Sequence, residues 1–179
     1  MTKVVKSLAG YDTVLLDLDD TLITSEGKFP KGIWDMRFNL SLFKYLRALE
    51  DLKHIGIITN QGGIEAGFVN EDSFLIKLNY IIVSLSEFLD GKEVLAYYCD
   101  SNDRNNLRRK PNTGMFEDFI IDAGISFPSN KIVYVGDASG EFSEFETFSD
   151  SDYQFAVNCD IDYCDINSLT FDWASKFKH

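Results

Sequence analysis

Four short runs of strand-forming residues, each almost wholly apolar and each closing on a polar group, constrain this chain more than anything else in it. They are Thr13 to Asp17, His54 to Thr59, Glu93 to Cys99, and Lys131 to Val135, the last leading into Gly136-Asp137. A run with no polar alternation has no wet face, so it suits a strand covered on both sides in a parallel sheet. Between the runs lie patterns of helical period. Asn39 is placed to cap a helix to about Leu52, with Leu42, Tyr45, Leu46 and Leu49 on one face. Asn70 and Ser73 precede a long helix to about Leu89, built on Phe74, Leu78, Ile81, Ile82, Leu85 and Phe88. A third helix runs from about Gly114 to Ala123, with Gly124 as its C-cap. Alternating strands and helices predict an α/β fold, a Rossmann-like parallel sheet with helices on both faces. The rest reads as a small hairpin or flap from Leu22 to Pro30, and an acidic loop with a little helix from Ala138 to Asp152. Phe155 to Asn158 reads as a fifth strand and Ser168 to Phe177 as a terminal helix.

In open parallel sheets the ligand binds outside the carboxyl ends of the strands. Those ends here carry Asp17 and Asp19, then Thr59 and Asn60, then the loop leading to Lys110, then Asp137. Each has a plain alternative. The Asp17 region can be a solvated turn, Thr59 a cap or turn former, Lys110 a solvated loop residue, and Gly136-Asp137 a turn pair. Taken together they suit one chemistry. Carboxylates bind a hard cation such as Mg²⁺, which takes one or two of them plus substrate phosphate. Lysine, a hydroxyl and glycine-rich backbone suit phosphate oxygens. A carboxylate can attack phosphorus to form an acyl-phosphate, and a neighbouring carboxyl can move the protons.

The 179 residues, 45% hydrophobic and 14% aromatic, suit one globular domain spanning 1–179. No apolar run approaches the roughly 20 residues of a membrane-spanning helix. Met1 to Gly10 lacks the apolar core of a signal peptide, and Cys99, Cys159 and Cys164 have no paired-ligand spacing. A cytoplasmic protein with reduced thiols is therefore expected. The net charge of −12 opposes nonspecific adhesion to nucleic acid or an anionic membrane, yet leaves room for a local basic patch. Arg104, Arg108 and Arg109 cluster before Lys110, as a solvated loop or as contacts to a nucleic-acid backbone. His54 is read as structural, and Phe142, Phe145 and Phe148 as packing rather than base stacking.

Asp17-Leu18-Asp19-Asp20-Thr21 resembles the first motif of the haloacid dehalogenase superfamily of phosphotransferases. Thr59 resembles its second motif, Lys110 its third and Gly136-Asp137 its fourth. A finer resemblance is to the phosphatase domain of polynucleotide kinase 3′-phosphatases. It rests on Asp19-Asp20-Thr21-Leu22-Ile23-Thr24, Ile58-Thr59-Asn60-Gln61-Gly62-Gly63-Ile64 and Arg109-Lys110-Pro111-Asn112-Thr113-Gly114-Met115. Val135-Gly136-Asp137-Ala138-Ser139-Gly140 and Phe148-Ser149-Asp150-Ser151-Asp152 extend it, so that it reaches from about Tyr11 to Trp173.

The resemblance implies a Mg²⁺-dependent phosphatase that removes 3′-phosphate from nucleic-acid ends through an aspartyl-phosphate, a role in DNA end repair. Asp17 would be the nucleophile and Asp19 the general acid and base. Mg²⁺ would be held by the Asp17 and Asp137 carboxylates and the backbone carbonyl of Asp19. Thr59, Asn60 and Lys110 would hold the phosphoryl group, and Asp152 would support the metal or Lys110. Relatives acting on small metabolites often insert a cap domain after the first or second motif, and the gaps here have no room for one. Capless relatives that act on sugar or histidinol phosphates commonly carry a Cys/His zinc loop, which is missing. The chain departs from the family in its short acidic loop between Gly140 and Phe148, and in Tyr153 where Arg is expected. A capless phosphatase of a small phosphate monoester, or a noncatalytic binder of phosphate ends, remains the alternative. The sequence leaves the oligomeric state unknown.

Overall fold

The computed structural model describes residues 1–27, 32–129, 131–142 and 149–169. Strand β1 (Thr13–Leu16) lies at the centre of a five-stranded parallel sheet. It pairs on one side with β4 (His54–Asn60), which pairs with β5 (Val94–Cys99). On the other side it pairs with β6 (Ile132–Gly136), which pairs with the edge strand β7 (Asp162–Asp165). The sheet order is β5-β4-β1-β6-β7, so the chain departs from β1 in one direction to β4 and later returns on its other side to β6. The carboxyl end of β1 is thus the switch point at which a crevice opens.

Alternation along the central strand sorts the core into two layers. Val14 and Leu16 face the layer holding α1 (Leu40–Arg47) and α2 (Glu71–Phe88), with Leu42, Phe43, Leu46, Phe74, Leu78 and Ile81 fully or nearly buried. Leu15 faces the other layer, with α3 (Gly114–Asp122) and α4 (Ser151–Asn158), where Phe119, Tyr134, Phe155 and Tyr163 are fully buried. Gly56 allows α3 its close approach. A Cβ there would lie 2.7 Å from Leu15 Cδ2 and 2.8 Å from the Phe119 ring. The expected parallel α/β sheet covered by helices on both faces is what forms.

Two helix caps appear where the sequence places them. The Asn39 side chain accepts from Leu42 N, and the Asn70 side chain from Ser73 N. Helix α1 stops at Arg47 rather than near Leu52. Lys44 and Arg47 occupy its last turn, where positive charge suits the free carbonyls, and Glu50 and Asp51 would oppose the dipole if the helix continued. The flap is a wider hairpin than expected, β2 (Ile23–Ser25) antiparallel to β3 (Met36–Phe38). Pro30, at its expected end, lies outside the described residues.

One expected strand is a helix. Phe155 to Asn158 belongs to α4, and the fifth strand of the sheet is β7. A four-residue apolar run carries no period of its own. Its flanks decide the matter, because Asp152, Phe155, Ala156 and Cys159 are buried at helical spacing. The strand β7 was hidden by Asp162 and Asp165 at its two ends. Ser168 lies in a short 3₁₀ turn, Ile166–Ser168, and the remainder of the expected terminal helix lies outside the described residues. The acidic segment is a 3₁₀ turn at Gly140–Phe142, then residues 143–148 outside the description, then the start of α4. The expected aromatic packing of Phe145 and Phe148 falls in that gap, as does the Phe142 side chain. Cys99, Cys159 and Cys164 are free and buried. Among the described residues no helix is long and apolar enough to cross a membrane.

Candidate active site

The strand that buries Val14, Leu15 and Leu16 also determines where Asp17 goes. Continuing the alternation, Asp17 shares a face with Leu15 and meets the layer that contains Tyr134. Lys110, at the end of the loop after β5, is pulled into the same place. Its ammonium donates to Asp17 Oδ1 at 2.9 Å, to Asp152 Oδ1 at 2.7 Å and to the Tyr134 hydroxyl at 2.6 Å. Those are all the donors an ammonium has. Lys110 is 4% exposed, so this is a buried cation held by two carboxylates rather than a solvated loop lysine. The Tyr134 hydroxyl donates in turn to Ile58 O at 2.9 Å, tying the cluster to β4.

Asn60 fixes the backbone of Lys110 from both sides. Its Nδ2 donates to Lys110 O at 3.0 Å, and its Oδ1 accepts from Lys110 N at 2.9 Å. The side chain expected to touch phosphate therefore positions the lysine. Thr59 is 1% exposed, and its hydroxyl accepts from Gln61 Nε2 at 3.0 Å. The same Gln61 nitrogen donates to Asp19 Oδ2 at 2.8 Å. The other oxygen of Asp19, Oδ1, is buried without a hydrogen-bond partner. Asp20 holds φ at +58°, in the left-handed region, as the chain turns out of β1.

Carboxylate oxygens of Asp17, Asp137 and Asp152 lie within 4.8 Å of one another. Gly136 makes room for this. A Cβ at that position would collide with the Asp152 carboxylate, whose Oδ2 accepts from Ala138 N at 3.1 Å. Behind the Asp137 loop, Ser139 Oγ donates to Asp165 Oδ2 at 2.7 Å and shares a 2.6 Å hydrogen bond with the Tyr163 hydroxyl. That buried network holds the loop against β7.

The electrostatics follow from burial. Asp17 is pushed up to about 8, first by burial, with Lys110 pulling it down and Asp152 and Asp137 repelling it. Asp137 is pushed up to about 6 by burial and by repulsion from Asp152 and Asp20. Burial alone would lower Lys110, yet the carboxylates of Asp152 and Asp17 outweigh it and raise the lysine. With all three carboxylates ionised against one ammonium, two negative charges would crowd a small space, with hard oxygen donors on two strand ends and a helix. That donor set fits a divalent cation of the Mg²⁺ type. The Asp19 carboxylate is turned to Gln61 and lies outside the triad, while its expected metal contact is the backbone carbonyl.

The structure thus brings Asp17, Lys110, Asp137 and Asp152 into one cluster and sets Asp19, Thr59 and Gln61 beside it. Tyr134 and Gln61 were the residues missed from sequence. A tyrosine inside the aliphatic run Ile132-Val133-Tyr134-Val135 was the available signal for the first. For Gln61 the signal was a long amide at a strand end. Two arginines of the cluster are occupied locally: Arg108 pairs with Asp118, and Arg109 donates to Ser101 O at 2.7 Å. Tyr153, the departure from the family pattern, packs its ring 5.7 Å from that of Tyr163.

Comparison with known proteins gives the family and the fold. A model of the polynucleotide kinase 3 phosphatase family matches residues 12–166. The chain is 31% identical over 146 residues to a D-glycero-beta-D-manno-heptose-1,7-bisphosphate 7-phosphatase of Haemophilus ducreyi, covering 77% of this chain and 79% of that one. It is 32% identical over 154 residues to a bifunctional polynucleotide phosphatase/kinase of Schizosaccharomyces pombe, covering 84% of this chain and 35% of that protein. In three dimensions it is similar to a D,D-heptose 1,7-bisphosphate phosphatase from B. bronchiseptica, solved with magnesium and phosphate. The TM-score is 0.64 at 18% identity, over 83% of this chain and 76% of the other, a likeness of fold.

Proposed function

Since the chain belongs to the polynucleotide kinase 3 phosphatase family, among the phosphatases of the haloacid dehalogenase superfamily, we propose that it removes terminal 3′-phosphate from nucleic acid. The observation that carries this reading is that no inserted cap domain is found among the described residues. The two stretches that could hold an inserted cap, between Thr21 and Thr59 and between Gly63 and Lys110, contain among the described residues only the flap, α1, most of β4, α2 and β5 with their connections. A phosphate at the end of a polymer can reach a site that no inserted domain covers among the described residues.

In this reading one oxygen of Asp17 stays on Lys110 and the other attacks phosphorus. The bond from phosphorus to the ester oxygen breaks, and that oxygen takes a proton from Asp19. Asp19, now a carboxylate, removes a proton from water, which attacks the aspartyl-phosphate. The bond to Asp17 breaks and inorganic phosphate leaves. Gln61 holds Asp19 by one oxygen, and the partnerless Oδ1 is where its proton would sit. The Asp17 and Asp137 carboxylates and the backbone carbonyl of Asp19, with Asp152 beside them, would hold Mg²⁺, whose contribution would be to neutralise charge on the phosphoryl oxygens.

A second reading is a phosphatase of a small sugar phosphate. Similarity to the Haemophilus ducreyi enzyme over 79% of its length and the net charge of −12 favour it. Initial rates on a 3′-phosphorylated oligonucleotide, sugar phosphates and nucleotide monophosphates, with and without Mg²⁺ at fixed salt, separate the two. The expected result is Mg²⁺-dependent turnover highest on the oligonucleotide. Higher kcat/KM on a sugar phosphate overturns the nucleic-acid reading and leaves the phosphatase.

The acidic cluster also predicts how metal and protons compete. Asp17 and Asp137 have folded pKa values near 8 and 6, above the usual value near 4 in an unfolded chain. The folded state then binds more protons than the unfolded one, so metal-free stability falls as pH rises from about 4 to about 8. Mg²⁺ should reverse this, because it binds only the assembled carboxylates. At a hundredfold excess over its Kd, stabilisation is about 2.7 kcal/mol, or a Tm increase of about 5–10 °C for a chain of this size. Melting curves at pH 5 and pH 8, with and without Mg²⁺, measure it. A larger Mg²⁺ effect at pH 5 than at pH 8 would contradict the assignment.

A further inference from the structure

Lys77 stands on the core-facing stripe of α2, between Phe74 and Leu78 along the chain, and is 3% exposed. The chain has 29 Asp and Glu residues against 17 Lys and Arg, yet no acid pairs with it among the described residues. Its ammonium lies 5.7 Å from the centre of the Phe74 ring and has no hydrogen bond or ion pair among the described residues. The stem of Lys77 is packed in the core while its ammonium opens onto the adjoining cavity, where its charge can meet an anion. Lys110, by contrast, is buried with all its donors filled.

Lys77 also lines a cavity of about 450 Å³ that adjoins the active site. Asp19 forms part of the same wall, with Gln61, Gly62, Asn102 and, at the rim, the exposed ring of Phe68. Asn102 donates to Gly62 O at 2.6 Å, which joins the loop after β5 to the loop after β4 and encloses that side. In the proposed reaction Asp19 protonates the leaving oxygen, so this cavity lies where the leaving group would be. A volume of this order accommodates a sugar carrying one more phosphate.

We infer that Lys77 forms a second anion subsite that binds a further phosphate on the leaving group, so that the enzyme selects substrates carrying two phosphates. This rests on the phosphatase reading and deepens it. The second phosphate can be the internucleotide diester next to a 3′-end or the other phosphate of a small bisphosphate, since both present the same anionic oxygens. The Phe68 ring suits the sugar or base between them.

The test measures kcat/KM for wild type, Lys77→Met and Lys77→Gln on two matched pairs and a reference. The pairs are a 3′-phosphorylated dinucleotide with its nucleoside 3′-monophosphate, and a hexose bisphosphate with its monophosphate. The reference is p-nitrophenyl phosphate. The expected result is that wild type prefers the doubly phosphorylated member of one pair by about tenfold or more. Both variants lose at least about tenfold of that preference, chiefly through KM. The pair that responds identifies the source of the phosphate. No preference in wild type, or an equal loss on all substrates including the reference, overturns the subsite and leaves Lys77 a packed side chain. The wild-type comparison stands even where a variant fails to fold. If wild type turns over none of the substrates, the phosphatase reading fails, and calorimetry of the same dinucleotide and bisphosphate on wild type and Lys77→Gln judges the subsite separately. Binding weakened by about tenfold or more in the variant supports it, and equal or undetectable binding overturns it.

Discussion

Asp17→Asn is expected to lose about 10⁴-fold or more in kcat while keeping the fold, because it removes the attacking oxygen of the proposed reaction and little else. Asparagine has nearly the shape of aspartate, and its carbonyl can still accept from Lys110, which donates to Asp17 Oδ1 at 2.9 Å. The substitution also removes one of three crowded carboxylates, the one burial holds up to about 8. Stability should therefore change by no more than about 1 kcal/mol, within the range of ordinary substitutions. Turnover on p-nitrophenyl phosphate together with a thermal melt checks both halves. Hydrolysis near the wild-type rate in a folded Asp17→Asn protein would exclude the aspartyl-phosphate.

Lys110→Met should do the opposite, damaging the fold as well as the reaction. Lys110 is the cation between Asp17 and Asp152, at 2.9 and 2.7 Å, in a setting where the lysine side chain is 2% exposed. Removing it leaves two buried carboxylates without their counter-charge, at a cost of about 3–5 kcal/mol. For a chain of this size that lowers Tm by roughly 6–20 °C. A double substitution, Lys110→Met with Asp152→Asn, should recover part of the loss, since the two act on one interaction. If the single variant melts within a degree or two of wild type, Lys110 is not the electrostatic centre of the cluster.

Much of the framework was legible in the sequence because its signals are local. The apolar runs at 13–17, 54–59 and 131–135 read as buried strands, and Asn39 and Asn70 as caps of the helices that follow them, as the structure has them. The misread elements are those whose local pattern is ambiguous. Phe155 to Asn158 is too short to have a period, and β7 is a strand of four residues with aspartate at each end. Its identity comes from pairing with β6, which no local signal encodes.

For the site, the sequence alone determined which strand ends carry carboxylates, hydroxyl and lysine, and that a parallel sheet would gather those ends at one edge. The tertiary structure decided how they divide the work. It turned Asp19 to Gln61 and Asp17 to Lys110, spent the Asn60 side chain on the Lys110 backbone, and brought Asp152 from α4 into the triad through the space left by Gly136. It also left Lys77, beside the same site, with no carboxylate partner among the described residues. The physical reason is that burial and distance set the value of a charge, and both are properties of elements far apart in the chain. A lysine reads the same in sequence whether two carboxylates hold it or none does.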